Sequence, residues 1–232
     1  MAQNTLRIQR AADAFRTPEG TRGMSRSPGE ISISDQRTAA LKLLQTCPEH
    51  EAHARQVARL SLRIFDELAR LHGMGDEERF LLECAALLHD IGWVSGRARH
   101  HKTSLHIILD TPLLLFDQRQ RLVIGSIARY HRRSLPRKRH RHYAELDSEE
   151  RRMVRVLGGI LRIADALDVR HAEAVTELRC RISSDRIVIS CLSSGSLDME
   201  RTAVAGKDHL LEQVFERRID LAGAARGAER RK

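Results

Sequence analysis

A chain of 232 residues with 41% hydrophobic content can bury an ample core in one domain, or in one domain and a small appendix, which excludes a disordered body. A formal charge of +9 favours polyanionic partners, while an aromatic share of 3% supplies few rings for stacking nucleobases and so argues against nucleic acid. No apolar run has the length of a signal peptide or a membrane span, and Cys47, Cys84, Cys180 and Cys191 form no CxxC spacing, so reduced thiols in the cytoplasm are expected.

In chain order, residues 1–34 are polar and rich in Arg, Ser, Gly and Pro, and read as a flexible basic arm. Val57, Leu60, Ile64, Leu68 and Leu71 then recur at helical period, with His53 on the same stripe one turn ahead and so pointing inward. Leu81, Leu82, Ala85, Ala86 and Leu88 mark a second helix that ends in His89-Asp90, a nitrogen and an oxygen ligand side by side at the end of a buried element. His100 and His101 in RARHHKTSLHII, and His131 in IARYHRRSLP, each lie beside or at the end of a further predicted helix. Leu157, Leu161, Ala164 and Leu167 define the apolar face of another, and Asp165 beside that face needs a partner or a cation to be buried. From about Thr176 the period changes to alternation at Leu178, Cys180 and Ile182, and a β-branched run follows from Ile187 to Leu192 after a Ser183-Ser184-Asp185 turn. A last helix is expected from about Asp208 to Leu221, giving a strand, strand, strand, helix subdomain whose role is packing or homodimerisation.

Each of these residues has a plain alternative. An inward His is commonly a satisfied core residue, and Asp165 or Asp168 could cap a helix or pair with Arg162 or Arg170. Jointly, an ordered series of His, His-Asp, His, His and Asp on helices with apolar stripes points to a mixed nitrogen and oxygen metal site. The order resembles that of the HD phosphohydrolase superfamily from about His53 to Asp165. The resemblance implies a helical bundle in which His53, His89, Asp90 and Asp165 hold one divalent metal (Mn, Fe, Zn or Mg), with His89 and Asp90 central to catalysis. It also implies a second ion at His100 and His131, His100 being preferred to His101 because Ser104 supplies the family's small residue four positions on.

A closer resemblance covers about Gln36 to Leu221. HHKTS, IARYHRRSLPRK and ILRIADALDVRH are similar to the C-terminal half of the exopolyphosphatase and guanosine pentaphosphate phosphatase family. The actin-like N-terminal domain of those enzymes is expected to be absent here, so the resemblance transfers the HD half alone.

The expected architecture is therefore mostly α. It comprises a basic arm (1–34), an HD-type metal-binding bundle (35–175), a small α+β subdomain (176–222) and a basic tail (223–232). The excess positive charge concentrates around His131, and Lys102, Arg132, Arg133, Arg137 and Lys138 form a candidate phosphate funnel, since guanidinium forks bind phosphate oxygens bidentately. The reading is metal-assisted hydrolysis of a phosphate ester or anhydride, with polyphosphate or a phosphorylated small molecule as substrate. The alternative is a non-catalytic module that senses polyphosphate or a nucleotide.

Overall fold

The computed structural model describes residues 31–132 and 134–225; the expected arm up to residue 30, the tail beyond 225 and Arg133 lie outside them. Helix α1 (Ile33–Leu44) starts at a capping box, in which the Ser32 hydroxyl accepts from the Asp35 N–H and the Asp35 carboxylate accepts from the Ser32 N–H. The body thus begins two residues before the expected boundary at 34/35. A 3-10 turn (Pro48–His50) leads into α2 (Glu51–Glu67), whose Val57, Leu60 and Ile64 are fully buried as the stripe predicted. A short α3 (Ala69–His72) ends at left-handed Gly73, and α4 (Asp76–Leu88) follows. Next come a 3-10 turn (Ile91–Ser95), α5 (His100–Asp110), α6 (Gln118–Arg129), the single turn α7 (Arg141–Ala144) and α8 (Ser148–Ala166). Capping boxes at Asp117/Gln120 and Asp147/Glu150 fix the starts of α6 and α8. Helix α2 packs on α4 and α8, while α6 packs against α4, α5 and α8, so the ends of several helices meet over one apolar core.

The C-terminal part contains β1 (Val175–Ile182), β2 (Arg186–Ser193), α9 (Asp198–Ala205), α10 (His209–Phe215) and β3 (Arg218–Ala225). β1 and β2 form the expected antiparallel hairpin. The expected order of three strands and a helix is overturned: β3 pairs parallel to β2, and a parallel neighbour needs a crossover, here α9 and α10. The last helix stops at Phe215, Glu216 takes a left-handed φ of 52°, and Ile219 and Leu221 are buried as strand residues. α2 anchors the sheet: Gln56 Nε2 donates to the Val175 carbonyl at 2.7 Å, and Glu67 Oε2 accepts from the Cys180 N–H at 2.8 Å. The four cysteines are free thiols. No helix among the described residues is long and apolar enough to cross a membrane.

Candidate metal centre

Helix ends deliver the donors. His89 terminates α4, Asp90 follows it, His100 opens α5, His131 comes just after α6, and Asp165 lies in the last turn of α8, with His53 entering from the first turn of α2. All six are buried.

Three of the histidines are oriented in the same way. His89 Nδ1 donates to the Ala86 carbonyl at 2.7 Å, His100 Nδ1 to Arg97 at 3.0 Å and His131 Nδ1 to Ala128 at 2.7 Å. A carbonyl only accepts, so each neutral ring carries its proton on Nδ1 and turns the Nε2 lone pair inward. His53 Nδ1 meets Asp168 Oδ2 at 2.7 Å, and Asp168 Oδ1 accepts from the Glu173 N–H at 2.8 Å, which holds the carboxylate against the ring. Polar atoms that fix the far side of a ligating imidazole are characteristic of metal-binding histidines.

The inward atoms converge. His100 Nε2 and His131 Nε2 lie 3.2 and 3.5 Å from Asp90 Oδ1, and His89 Nε2 lies 3.7 Å from Asp90 Oδ2 and 3.8 Å from Asp165 Oδ1. Asp165 Oδ1 is 3.3 Å from His53 Nε2. Two donor groups result, His53/His89/Asp90 and Asp90/His100/His131, with all atoms of a group within 4.8 Å of one another, and Asp90 belongs to both. Ligands about 2.1 Å from one ion stand ~3–4 Å apart, so the spacing fits a cation. His89 Nε2 and Asp90 Oδ1 are buried without a hydrogen-bond partner, a cost that a shared ion would remove.

Electrostatics divide the rings. Burial pushes His131 down to about 3 and lowers His100, so both are neutral and competent to ligate. Burial opposes the charge on His53 as well, but the carboxylates of Asp165 and Asp168 outweigh it and raise the ring to about 9. Without a cation His53 is thus an imidazolium between two carboxylates, and it must release the Nε2 proton to ligate. Burial would raise Asp165, yet Lys207, then His53, His131 and His89 hold it well below the usual carboxylate range. Asp90 is likewise lowered against burial, by His89, His131 and His100.

The plain pairings fail at both aspartates. Arg162 donates to the carbonyls of Tyr130 and Lys207, each at 3.0 Å, and Arg170 pairs with Glu200 at 2.7 Å. Asp165 binds Lys207 Nζ instead, from the turn between α9 and α10. Lys207 carries no sequence signal, since its approach depends on the crossover. Asp168 did carry one, three residues after Asp165 and just beyond the end of α8. His50, His171 and Trp93 also join the site: His171 stacks flat on His53 with centroids 3.7 Å apart, and the Trp93 ring lies against His50 at 4.5 Å and His100 at 4.9 Å.

The expected phosphate-binding residues separate. Arg132 Nη1 stands 3.3 Å from His100 Nε2, at the centre itself, and Lys102 is exposed on α5. Arg137 and Lys138 instead line a cavity of about 690 Å³ with Arg151, Arg152 and Arg155, and no metal-centre residue borders it.

Residues 37–201 match the family described as Ppx/GppA phosphatase, domain III. The chain belongs to this family. The match runs from α1 into α9, includes all six candidate ligands and stops short of Lys207, so the cation on Asp165 comes from outside the matched segment. No curated protein matches the chain.

Proposed function

We propose that the chain is a metal-dependent phosphohydrolase of the HD type, acting on a phosphate ester or anhydride with an exopolyphosphatase-like preference for phosphorylated small molecules or polyphosphate. The observation that carries the reading is the common orientation of His89, His100 and His131, each held through Nδ1 so that three lone pairs meet at Asp90. His53, His89, Asp90 and Asp165 would hold one divalent ion, and Asp90, His100 and His131 a second, with manganese, iron, zinc or magnesium compatible with the donors. A divalent ion in such a site supplies Lewis acidity, enough to bring the pKa of a water from about 15.7 toward about 7. The chain's own part is to keep His100 and His131 neutral by burial, to fix the ring planes through backbone carbonyls and to place the Arg132 guanidinium against His100 as a donor to non-bridging phosphoryl oxygens. Four free thiols agree with a cytoplasmic location.

Elemental analysis of protein purified without chelator should find one or two transition-metal ions per chain. With manganese and a panel of polyphosphate, guanosine polyphosphates, nucleotides and cyclic nucleotides, at least one substrate should turn over, and Asp90→Ala should abolish metal and turnover together. Metal-free protein whose melting temperature ignores manganese would overturn the reading.

One observation favours a second reading, a polyphosphate- or nucleotide-sensing module. The ion pairs of Asp165 with Lys207 and of His53 with Asp168 already neutralise part of the cluster without a cation. Tight polyphosphate binding without turnover in the same assay would select it.

A further inference from the structure

Among the described residues, the guanidinium at the end of α6 has no carboxylate as an ion-pair partner. Arg129 is 5% exposed, and its Nη1 is sealed from solvent with no acceptor. Its side-chain contact is the Tyr130 ring, 5.8 Å from Cζ to centroid. Arg162, the other deeply buried guanidinium, shows the usual arrangement by donating to two carbonyls. Outside the candidate metal centre, His101 Nδ1 on α5 and His142 Nε2 on α7 share the condition of Arg129, buried without a partner. After burial, the charge of Arg129 is the foremost influence on the rings of His101, on α5, and of His140 and His142, at α7. Glu145 acts on His142, but no carboxylate of the described residues acts on Arg129.

The cluster abuts the metal centre. The His101 ring lies 5.7 Å from His100 and 6.3 Å from His131, while Tyr130, whose hydroxyl meets His140 Nδ1 at 2.8 Å, packs against His142 at 5.5 Å. A buried cation with no counter-charge is among the costliest arrangements a fold can hold, and a bound anion removes the cost.

We propose that Arg129, His101 and His142 form an oxyanion pocket that receives one phosphoryl group next to the metal centre. Guanidinium has donors and no acceptor, and the two rings add one donor each in the tautomers that protonate those atoms. A tetrahedral anion can accept from several such donors at once, whereas a carboxylate offers two coplanar oxygens. The role as a substrate subsite rests on the phosphohydrolase reading. The affinity for an oxyanion does not, since none of the three residues belongs to the candidate ligand set.

Calorimetric titration of chelator-treated protein with inorganic phosphate, at constant ionic strength, tests the pocket without metal. Wild type should bind, and Arg129→Met should bind at least about 10-fold more weakly, the loss expected for one charge-assisted hydrogen bond. Arg141→Ala, which removes an exposed cation one residue from His142, should leave the affinity unchanged; equal losses in the two variants would reduce the effect to general attraction and overturn the pocket. Without phosphate, Arg129→Met should melt at or above the wild-type temperature, because it removes an unpaired buried charge. A lower melting temperature with unaltered phosphate affinity would make Arg129 a structural cation and overturn the proposal. His142→Phe keeps the ring packing and should weaken phosphate as well, which preserves the test if Arg129→Met does not fold. Tripolyphosphate should bind more tightly than phosphate and suffer the same loss in Arg129→Met; binding of phosphate alone would overturn the assignment to substrate. Manganese affinity should match wild type in Arg129→Met, so the pocket and the metal centre fail independently.

Discussion

His53 shows how much of the centre depends on a single acceptor. Asp168 accepts from the ring and is itself fixed by the Glu173 N–H, so Asp168→Ala leaves the buried His53 donor unpaired at about 1–3 kcal/mol and should weaken manganese binding about 10–100-fold, measured by titration. The same contact sets a pH dependence. Asp165 and Asp168 raise His53 from its ordinary value of 6.5 to about 9, so the folded state holds this proton more tightly. Its contribution is fully present below about 6.5 and is lost as pH rises through about 9, a loss on the order of 3 kcal/mol at most. Chelator-treated protein should therefore show a falling melting temperature across that window, and Asp168→Asn should flatten the slope. A slope unchanged in Asp168→Asn would place the titration elsewhere. At this scale the sequence was informative for which donors meet in space, because His53, His89 and Asp165 sit on apolar helical stripes. It was not informative for His50, His171 and Trp93, whose ring stacking follows from how turns close in space.

Among the elements, the joint between α4 and α5 carries the most. A Cβ on Gly92 would stand 2.1 Å from the His100 carbonyl and 2.7 Å from the Ser104 N–H, so the turn after Asp90 touches the backbone of the next ligand helix. Ser104 Oγ clamps the joint by donating to the His89 carbonyl at 2.7 Å and accepting from the Gly92 N–H at 3.0 Å. This is the physical content of the small residue four positions after His100. Gly92→Ala should displace α5, cost about 1–3 kcal/mol or more in overpacking and reduce metal stoichiometry before it abolishes folding, read by denaturation and elemental analysis. Full stoichiometry in a stable variant would show that the joint does not set the distance between His89 and His100. The helices were legible because 3.6-residue periodicity is a local signal. β3 was not, since its pairing to β2 is non-local, and the four-residue spacing of Phe215 and Ile219 suits a helix as well as a strand separated by a turn.

For the molecule as a whole, the positive charge is divided between two places. Arg132 stands at the metal centre, while Arg137 and Lys138 join Arg151, Arg152 and Arg155 around a cavity that no ligand residue borders. The single funnel expected from the sequence was a product of adjacency along the chain, and the fold parts those neighbours. Replacing Arg137, Lys138 and Arg155 with Ala should raise KM for long polyphosphate much more than for a small phosphate ester, and added salt should reproduce the difference in wild type. Equal effects on both substrates would leave the cavity a solvated surface. The sheet is coupled to the site by one lysine. Lys207 neutralises Asp165 across 42 positions of sequence, and the carbonyl of the same lysine is held by Arg162, so the crossover feeding β3 ends on a candidate ligand carboxylate. Thermodynamic reciprocity then applies: any macromolecule that grips the free edge of β3 and draws the crossover away changes the ion affinity of Asp165 by some factor, and loading the ion changes that macromolecule's affinity by the same factor.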